Sequence, residues 1–302
     1  MTRPAPRSID QYLAQLRDAL RGEDPALVQD ALYDAEEYLR AEVAQHPGKS
    51  EADVLELIAS TYGAPDEVAE AYRTSEKTVR AALKPTAPPP RATALGRFFG
   101  VYADSRAWTA LFYMLFALVT GVFYFTVTVT GLSISFGLLF LIIGVPVFLL
   151  FIGFTRVLSL AEGRLVEGLL GVRMPRRPVR SSHGASFWQR IKEMLVDRRT
   201  WTTLLYMLLM LPLGIFYFVL AVAGVAASLA LLTTPGAVFL HRAGLLTHGI
   251  SVEGYTDVSW LHAMGHLIVG VLLLTALLHA VRAIGQFHGG IARELLLSRD
   301  GE

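Results

Sequence analysis

Three long stretches of the chain contain only apolar and uncharged polar residues. No Asp, Glu, Lys or Arg occurs in residues 107–155, 200–241 or 258–281. A helix crosses the roughly 30 Å hydrocarbon core of a bilayer with about 20 apolar residues, and the first stretch is long enough for two crossings. The pattern therefore predicts four membrane spans, at about 108–130, 134–158, 202–232 and 263–283, with a tight turn at 131–133.

The first 84 residues show a different pattern, in which apolar residues recur every three or four positions between helix-start signals. Ser8, with Gln11 three residues later, is typical of a capping box. Asp24 followed by Pro25 is a second start signal, because Asp caps a helix and Pro fits its first turn. Two further signals follow at Ser50 and Pro65. We therefore expect a bundle of about four short helices.

Charge separates the two parts of the chain. Residues 1–84 carry sixteen acidic and ten basic side chains, whereas residues 85–302 carry ten and seventeen. Nine bases lie in the segment 159–199, but the segment 233–262 has only one. The positive-inside rule then places both termini and the middle segment in the cytoplasm. We expect the protein to lie in the cytoplasmic (inner) membrane. An acidic soluble part argues against nucleic-acid binding, and the lack of cysteine excludes disulfides and thiolate metal sites.

A proline-rich segment separates the bundle from the spans. It runs from Lys84 to Arg91 and contains four prolines. Such a segment favours an extended, semi-rigid conformation that rises about 3.1 Å per residue, and would hold the bundle roughly 20 Å from the membrane. The expected domains are therefore residues 1–84, a linker at 85–94, and residues 95–302.

The acidic bundle resembles a known family. The features that carry the likeness are Tyr12-Leu13-x-x-Leu16, the acidic helix from Asp30 to Glu42, Gly48-Lys49-Ser50-Glu51, and Tyr62-Gly63-Ala64-Pro65 followed by Val68-Ala69. On these residues the segment from about 8 to 73 is similar to the HAAS-type bacterial signalling domain. That resemblance implies an adaptor joined to membrane segments and not a catalyst. Its implied partner is a cytoplasmic protein: a transcription regulator, a kinase or a transporter subunit.

The membrane part contains an internal repeat. The string Asp104-Ser105-Arg106-Ala107-Trp108-Thr109 recurs 93 residues later as Asp197-Arg198-Arg199-Thr200-Trp201-Thr202. A weaker echo relates Arg156 to Arg282 and Gly163 to Gly289. Because both copies start on the same side, we expect two parallel two-span repeats, at about 101–171 and 194–297.

The repeated string falls where the chain enters the bilayer. Tryptophan is enriched at that level, and arginine reaches headgroup phosphates. Its residues are therefore candidate interfacial or partner-binding positions, together with two arginines of the basic middle segment: Asp104, Arg106, Trp108, Asp197, Arg199, Trp201, Arg176 and Arg177. An interfacial anchor and a ligand or partner site formed by both copies remain alternatives. Arg156 and Arg282 end their spans, where they can snorkel towards the headgroups.

This half of the chain resembles a second family over about residues 95–297. The likeness rests on the stretch from Trp201 to Phe218 with its Leu211-Pro212-Leu213-Gly214, on Gly144-Val145-Pro146, and on Glu162-Gly163-Arg164 leading to Leu169-Leu170-Gly171. These residues look like the sensor region found in front of actinobacterial-type sensor histidine kinases. The resemblance implies a sensing role and names no ligand.

Two histidines at the outer end of the last predicted span offer a different chemistry. His262 and His266 are four residues apart, so both face one side of a helix, and His241 and His248 precede them. These histidines would form a metal site or a pH-sensing cluster, and the alternative is histidines bonded to loop carbonyls. A metal site there is the basis for the hypothesis of a metal-dependent membrane enzyme. No acidic or basic residue lies in the middle of a predicted span, which argues against a proton pump.

Together these patterns predict an all-α protein: a short-helix bundle followed by a polytopic four-helix membrane domain. We expect a membrane signalling protein that relays a membrane or extracytoplasmic stimulus to a cytoplasmic partner, without enzymatic activity or a cofactor. An accessory or permease-like transporter subunit and the metal-dependent enzyme are the alternatives, and a homo-oligomer is left open. Small residues permit close helix approach, notably Gly121, Gly144, Gly214 and Gly224.

Overall fold

A computed structural model of the chain describes residues 4–83, 93–138, 143–177, 196–245 and 259–297. Within these ranges the regular structure is helical and no strand occurs, which confirms the all-α prediction. The α-helices are α1 (Ile9–Ala19), α2 (Pro25–Gln45), α3 (Glu51–Ile58), α4 (Pro65–Leu83), α5 (Ala94–Phe99), α6 (Ser105–Gly137), α7 (Gly144–Leu165), α8 (Arg198–Arg242) and α9 (Trp260–Leu296).

The four bundle helices begin at the predicted residues. The Ser8 hydroxyl accepts a hydrogen bond from the Gln11 amide at 3.2 Å, and Ser50 forms a reciprocal capping box with Asp53. One detail differs, because the Gln11 side chain accepts from the amide of Arg7 and not from that of Ser8. The apolar faces of the helices form one buried core, made of Ile9, Tyr12, Leu13, Leu16, Leu20, Leu27, Ala31, Leu32, Ala35, Leu39, Leu55, Ile58, Val68 and Ala69.

Tyrosines connect α1 and α2 to the turn between α3 and α4. The Tyr12 hydroxyl donates to the carbonyl of Gly63 at 2.9 Å, and the rings of Tyr38 and Tyr62 stack at 4.2 Å. Gly63 has φ 99°, a left-handed conformation that glycine adopts without a Cβ penalty. The turn is therefore held by both its backbone and its aromatic neighbours.

Four helices are long and apolar enough to cross a membrane: α6, α7 with the turn that follows it, α8 and α9. The predicted turn at 131–133 is wrong, because α6 continues unbroken to Gly137. Gly131 lies instead against the ring of Phe151, where a Cβ would collide with ring atoms. Its role is the close packing of α6 against α7 and not chain reversal.

The last two helices exceed the predicted spans at both ends. The segment from 233, predicted as a loop, is helical as far as Arg242, with Pro235 inside the helix. Membrane helices tolerate such prolines because neighbouring groups satisfy the freed backbone carbonyls. α8 ends where Gly244 adopts φ 73° and the Leu245 amide bonds the Leu240 carbonyl at 3.0 Å, a glycine-dependent helix stop.

The chain divides into two compact units by its contacts: residues 1–84, 128–206 and 289–302 form one, and residues 85–127 and 207–288 form the other. The first unit contains the bundle, α7 and the adjoining ends of α6, α8 and α9. The second contains α5 and most of α6, α8 and α9. The division into residues 1–84, 85–94 and 95–302 stays a sequence-based prediction, and residues 84–92 lie outside the described residues.

Within the second unit, α6 and α8 cross at two glycines. A Cβ on Gly121 would collide with the carbonyl oxygen of Met210, and a Cβ on Gly214 would collide with that of Ala117. The two glycines are 93 residues apart, and so are Ala117 and Met210. Each predicted copy thus presents the same pair of positions to the other. A local two-fold axis would produce this relation, and the parallel-repeat arrangement itself stays a prediction.

Candidate functional site

The aspartates of the repeated string cap the two helices that follow them. Asp104 Oδ1 accepts from the Arg106 amide at 3.0 Å, and Asp197 Oδ1 accepts from the Arg199 amide at 2.9 Å. The first amides of a helix have no partner within it, so a side-chain acceptor at this position satisfies one of them. The same residue therefore has the same local role in both copies of the string.

Each aspartate also forms an ion pair with an arginine of another helix, α9 for Asp104 and α7 for Asp197. Asp104 pairs with Arg282 at 2.9 Å in the second unit, and Asp197 pairs with Arg156 at 3.4 Å in the first. Arg156 and Arg282 were expected only to extend towards the lipid headgroups, but each binds the carboxylate of an aspartate. Under the predicted repeat, each pair joins the start of one copy to the end of the other.

The two tryptophans of the string remain largely accessible. Trp108 is 44% exposed and Trp201 is 49% exposed. The Trp108 indole donates to the carbonyl of Tyr102 at 3.0 Å, so its polar end is satisfied while its ring stays outside. Amphipathic rings of this kind suit the level of the lipid headgroups, and their interfacial role stays a prediction.

Sequence reasoning missed two buried polar side chains that hydrogen-bond tyrosine hydroxyls. In the second unit, His288 is 1% exposed and hydrogen-bonds the Tyr113 hydroxyl at 2.6 Å and the Tyr217 hydroxyl at 3.1 Å. In the first unit, Glu162 is 1% exposed and accepts from the Tyr206 hydroxyl at 2.9 Å.

The internal repeat contained the signal for both contacts. Tyr113 and Tyr206 are 93 residues apart, and Glu162 and His288 each stand directly before a glycine of the weaker echo. Neither was predicted, because Glu162 and His288 lie on parts of α7 and α9 that extend beyond the predicted spans.

A third set of contacts joins the bundle to the segment after α7. There the helix ends in a π-helical turn, Val166–Leu170, and Gly171 adopts φ 70°. The chain then runs without helical structure to residue 177. We call the ionisable side chains that meet here the charge cluster: Asp30, Asp34, Glu76, Glu167, Arg173, Arg176 and Arg177.

Arg173 lies at the centre of the charge cluster. Its guanidinium donates to Asp30 at 2.9 Å and to Glu76 at 3.2 Å, and it lies 3.7 Å from Glu167. All four side chains are at most 9% exposed. Burial opposes the charge of Arg173, but the hydrogen bond and charge of Asp30, with the charges of Glu76 and Glu167, raise its pKa above the usual value.

The predicted partner-binding arginines of the middle segment bind the chain's own bundle. The backbone amides of Arg176 and Arg177 both donate to Asp30 Oδ1 at 2.8 Å. The Arg176 side chain pairs with Glu167 at 2.8 Å, and that of Arg177 pairs with Asp34 at 2.7 Å. The basic segment thus contacts α2 through its backbone and its side chains together.

Helix α2 also contacts two further helix ends of the first unit. Arg293, near the end of α9, pairs with Asp24 at 3.0 Å, and Arg199, at the start of α8, donates to Gln29 at 3.2 Å. The expectation that the linker holds the bundle away is therefore wrong. The bundle packs directly on the ends of candidate spans, because their arginines neutralise its acidic face.

The histidines proposed as metal ligands are only partly described. His262 Nδ1 lies 2.8 Å from the Ser259 hydroxyl, and His241 and His266 are on α8 and α9, whereas His248 lies outside the described residues. In the part of the chain that the structure describes, no three His, Cys, Asp or Glu side chains are arranged to hold a metal ion.

Two family models match the chain. The HAAS model matches residues 11–71, and the Sensor model, described as “Putative sensor”, matches residues 113–296. No curated protein and no solved structure matches. Both resemblances drawn from the sequence are therefore confirmed, and the four apolar helices fit a multi-pass membrane protein. Since the second model covers more than half of the chain, the protein belongs to the Sensor family, with a HAAS segment preceding the membrane helices.

Proposed function

We propose that the protein is a non-enzymatic membrane sensor in which rearrangements of the spans reach a cytoplasmic partner through the bundle. The observation that carries this proposal is the position of α2. One bundle helix binds arginines from three places: the segment after α7, the start of α8 and the end of α9. A shift of any of these helix ends changes a contact of the same helix.

The connection between α7 and α2 is short and well packed. Met174, which is 1% exposed, lies with its side chain 3.4 Å from where a Cβ of Gly163 would stand. Glu167, in the turn after α7, pairs with both Arg173 and Arg176. Displacement of the end of α7 therefore moves the arginines that bind Asp30, because interiors at this packing density transmit strain.

Helices α8 and α9 give the second route. α8 carries Arg199, which contacts the bundle, and Gly214, which contacts α6. α9 carries Arg293, which contacts the bundle, and Leu277, which packs on Gly224 of α8. A ligand that binds two arrangements of the spans unequally would shift their populations, and each continuous helix carries that shift to the bundle.

The contacts of the bundle also support the proposed orientation. Its partners Arg173 and Arg293 belong to the middle segment and to the C-terminal end, which favours the same side of the membrane for all three parts. The excess of basic residues supports our proposal that this side faces the cytoplasm. We propose with it that the membrane is the cytoplasmic one.

Orientation is tested with a single cysteine, since the natural chain has none. Leu57 on α3 is 49% exposed, so a Leu57→Cys variant offers an accessible thiol on the bundle. We expect a membrane-impermeant maleimide to label it only after intact cells are opened. Labelling of intact cells would refute the orientation.

The relay is tested by hydrogen exchange of the full chain in nanodiscs. Gly121→Ala disturbs the crossing of α6 and α8, far along the chain from the bundle, and we expect it to lower amide protection in α2. Gly236→Ala, on an exposed position of α8 with no atom within 4 Å of its Cβ, is the matched control and should leave α2 unchanged. Unchanged protection of α2 in a folded Gly121→Ala protein would refute the relay.

A further inference from the structure

We infer that the acidic face of the bundle, formed by Asp30, Asp34 and Glu76, is a recognition site for an extended arginine-bearing segment. The chain's own residues 173–177 occupy it, and the cytoplasmic partner binds by presenting a segment of the same kind in their place. This inference rests on the proposed function, since it names what the bundle recognises when the contact with residues 173–177 opens.

The bound segment makes the contacts of a recognised peptide. It is not helical, and two successive amides, those of Arg176 and Arg177, donate to one carboxylate oxygen of Asp30. Its side chains bind different carboxylates of the bundle: Arg173 pairs with Glu76, and Arg177 pairs with Asp34. Main-chain bonds that give affinity and spaced side chains that give specificity are the two parts of peptide recognition by folded domains.

The three arginines differ in burial: one is a buried anchor and the other two lie half-exposed around it. The side chain of Arg173 is 9% exposed, whereas those of Arg176 and Arg177 are 49% and 48% exposed. A fully desolvated arginine at the centre of a contact typically dominates its affinity, and half-exposed charges around it contribute less. The recognised pattern is therefore Arg-x-x-Arg-Arg, with the first arginine decisive.

The bundle does not need this segment for its core. The buried apolar cluster of the bundle is drawn from residues 9–69, with no residue of 173–177 in it. Opening the contact exposes carboxylates to water and leaves that core intact. A contact made of charges is also no more stable than an apolar one of similar size, so it suits exchange better than permanent attachment.

The negative charge of the bundle indicates what kind of partner replaces residues 173–177. With sixteen acidic against ten basic side chains in residues 1–84, the opened bundle has a negative surface. On that surface Asp30 has lost Arg173 and Asp34 has lost Arg177. Glu76 has also lost Arg173 and keeps its pair with Arg80. A cationic protein segment restores those pairs. Bidentate, planar arginine fits the two carboxylates around the anchor position better than the point charge of lysine.

The test uses the full chain in nanodiscs of zwitterionic lipid and a fluorescent peptide, Gly-Val-Arg-Met-Pro-Arg-Arg-Pro, copied from residues 171–178. We call the variant Arg173→Ala, Arg176→Ala, Arg177→Ala the emptied chain, because it removes all three guanidinium groups from the site. We expect that variant to bind the peptide at least tenfold more tightly than the natural chain, by fluorescence anisotropy. Adding Asp30→Asn should then weaken binding at least tenfold. A scrambled peptide of equal charge should bind at least tenfold more weakly than the copied one.

A second variant guards against misfolding of the first. Arg176→Ala with Arg177→Ala keeps the buried anchor, so it should fold and bind the peptide with intermediate affinity. Equal binding of the scrambled peptide, or no difference between the emptied and natural chains, would overturn the inference. So would dimers formed when emptied and natural chains are mixed, because the occupant would then be a second copy. The relay through α2 is tested by hydrogen exchange and the recognition site by peptide binding. Failure of one proposal is therefore distinguishable from failure of the other.

Discussion

The guanidinium of Arg173 lies 2.9 Å from the carboxylate of Asp30, and both side chains are only 9% exposed. The two residues are 143 positions apart, in the segment after α7 and in bundle helix α2. One buried ion pair therefore connects the HAAS segment to the membrane helices. Glu76 and Glu167 complete the partners of Arg173, so the pair is part of a network and not an isolated surface contact.

Removal of the central arginine should destabilise the first unit. Arg173→Met keeps much of the side-chain volume but leaves Asp30 and Glu76 without their buried partner, which typically costs about 3–5 kcal/mol. The free energy of unfolding follows from urea-dependent labelling of an Ala35→Cys thiol in the bundle core. Arg21→Met is the control, because the Arg21–Asp18 pair is exposed and its loss should cost no more than about 1 kcal/mol. Equal losses in both variants would contradict the central role of Arg173.

Asp104 combines two functions that substitutions can separate. Asp104→Asn keeps an oxygen able to cap α6 but loses the charge that binds Arg282, so a loss of about 1 kcal/mol or less is expected. Asp104→Ala loses the cap as well, which typically costs about 0.5–2 kcal/mol more. Thermal unfolding of the purified chain should therefore order the midpoints as natural, Asn, Ala. A midpoint for Ala at or above that of Asn would show that the cap is dispensable.

The crossing of α6 and α8 should not tolerate a methyl group. A Cβ at position 214 meets the backbone carbonyl of Ala117, which cannot move as a side chain can, so Gly214→Ala should cost about 1–3 kcal/mol. Gly236→Ala, in the same helix with open space around the new methyl, should be neutral or stabilising by up to about 1 kcal/mol. Both are compared by thermal unfolding in one detergent. Similar midpoints for the two variants would rule out a close crossing at Gly214.

The bundle should lose stability in alkaline solution. Burial, with the neighbouring charge of Asp34, raises the pKa of Tyr62 to about 12, and burial also raises the pKa of Tyr12 and Tyr72. A group whose pKa is raised by folding stabilises fully below its unfolded pKa of about 10, and that contribution is lost as the pH rises through the folded value. Unfolding by urea should therefore need less denaturant between pH 10 and 12.

Tyr62→Phe separates this effect from general alkaline damage. The variant lacks one buried phenol, so its loss of stability between pH 10 and 12 should be smaller than that of the natural chain. Tyrosinate absorbance, followed together with thiol labelling in the bundle core, measures ionisation and unfolding in one experiment. An identical pH dependence in both proteins would show that Tyr62 does not titrate with unfolding.

The sequence by itself determined where the bundle helices start and which helices lie in lipid and not in water. Ser8, Asp24 and Ser50 start helices because a side-chain oxygen at these positions satisfies backbone amides within the next three residues. Uncharged runs identify the spans because lipid offers no partner to a charge. Both are local causes, so the chain order alone reveals them. The helix ends also depend on tertiary contacts. α6 continues beyond Gly131 to Gly137, and Gly131 packs on Phe151.

Only the tertiary structure decided which charged groups meet. Nothing near Arg173 in the chain indicates Asp30 or Glu76, and nothing near Asp104 indicates Arg282, because ion pairs depend on distance in space. Burial makes these pairs important for stability. A charge that has been removed from water destabilises the folded protein when its partner is lost. The sequence determined that an acidic bundle and a basic segment exist, and packing decided that they bind each other.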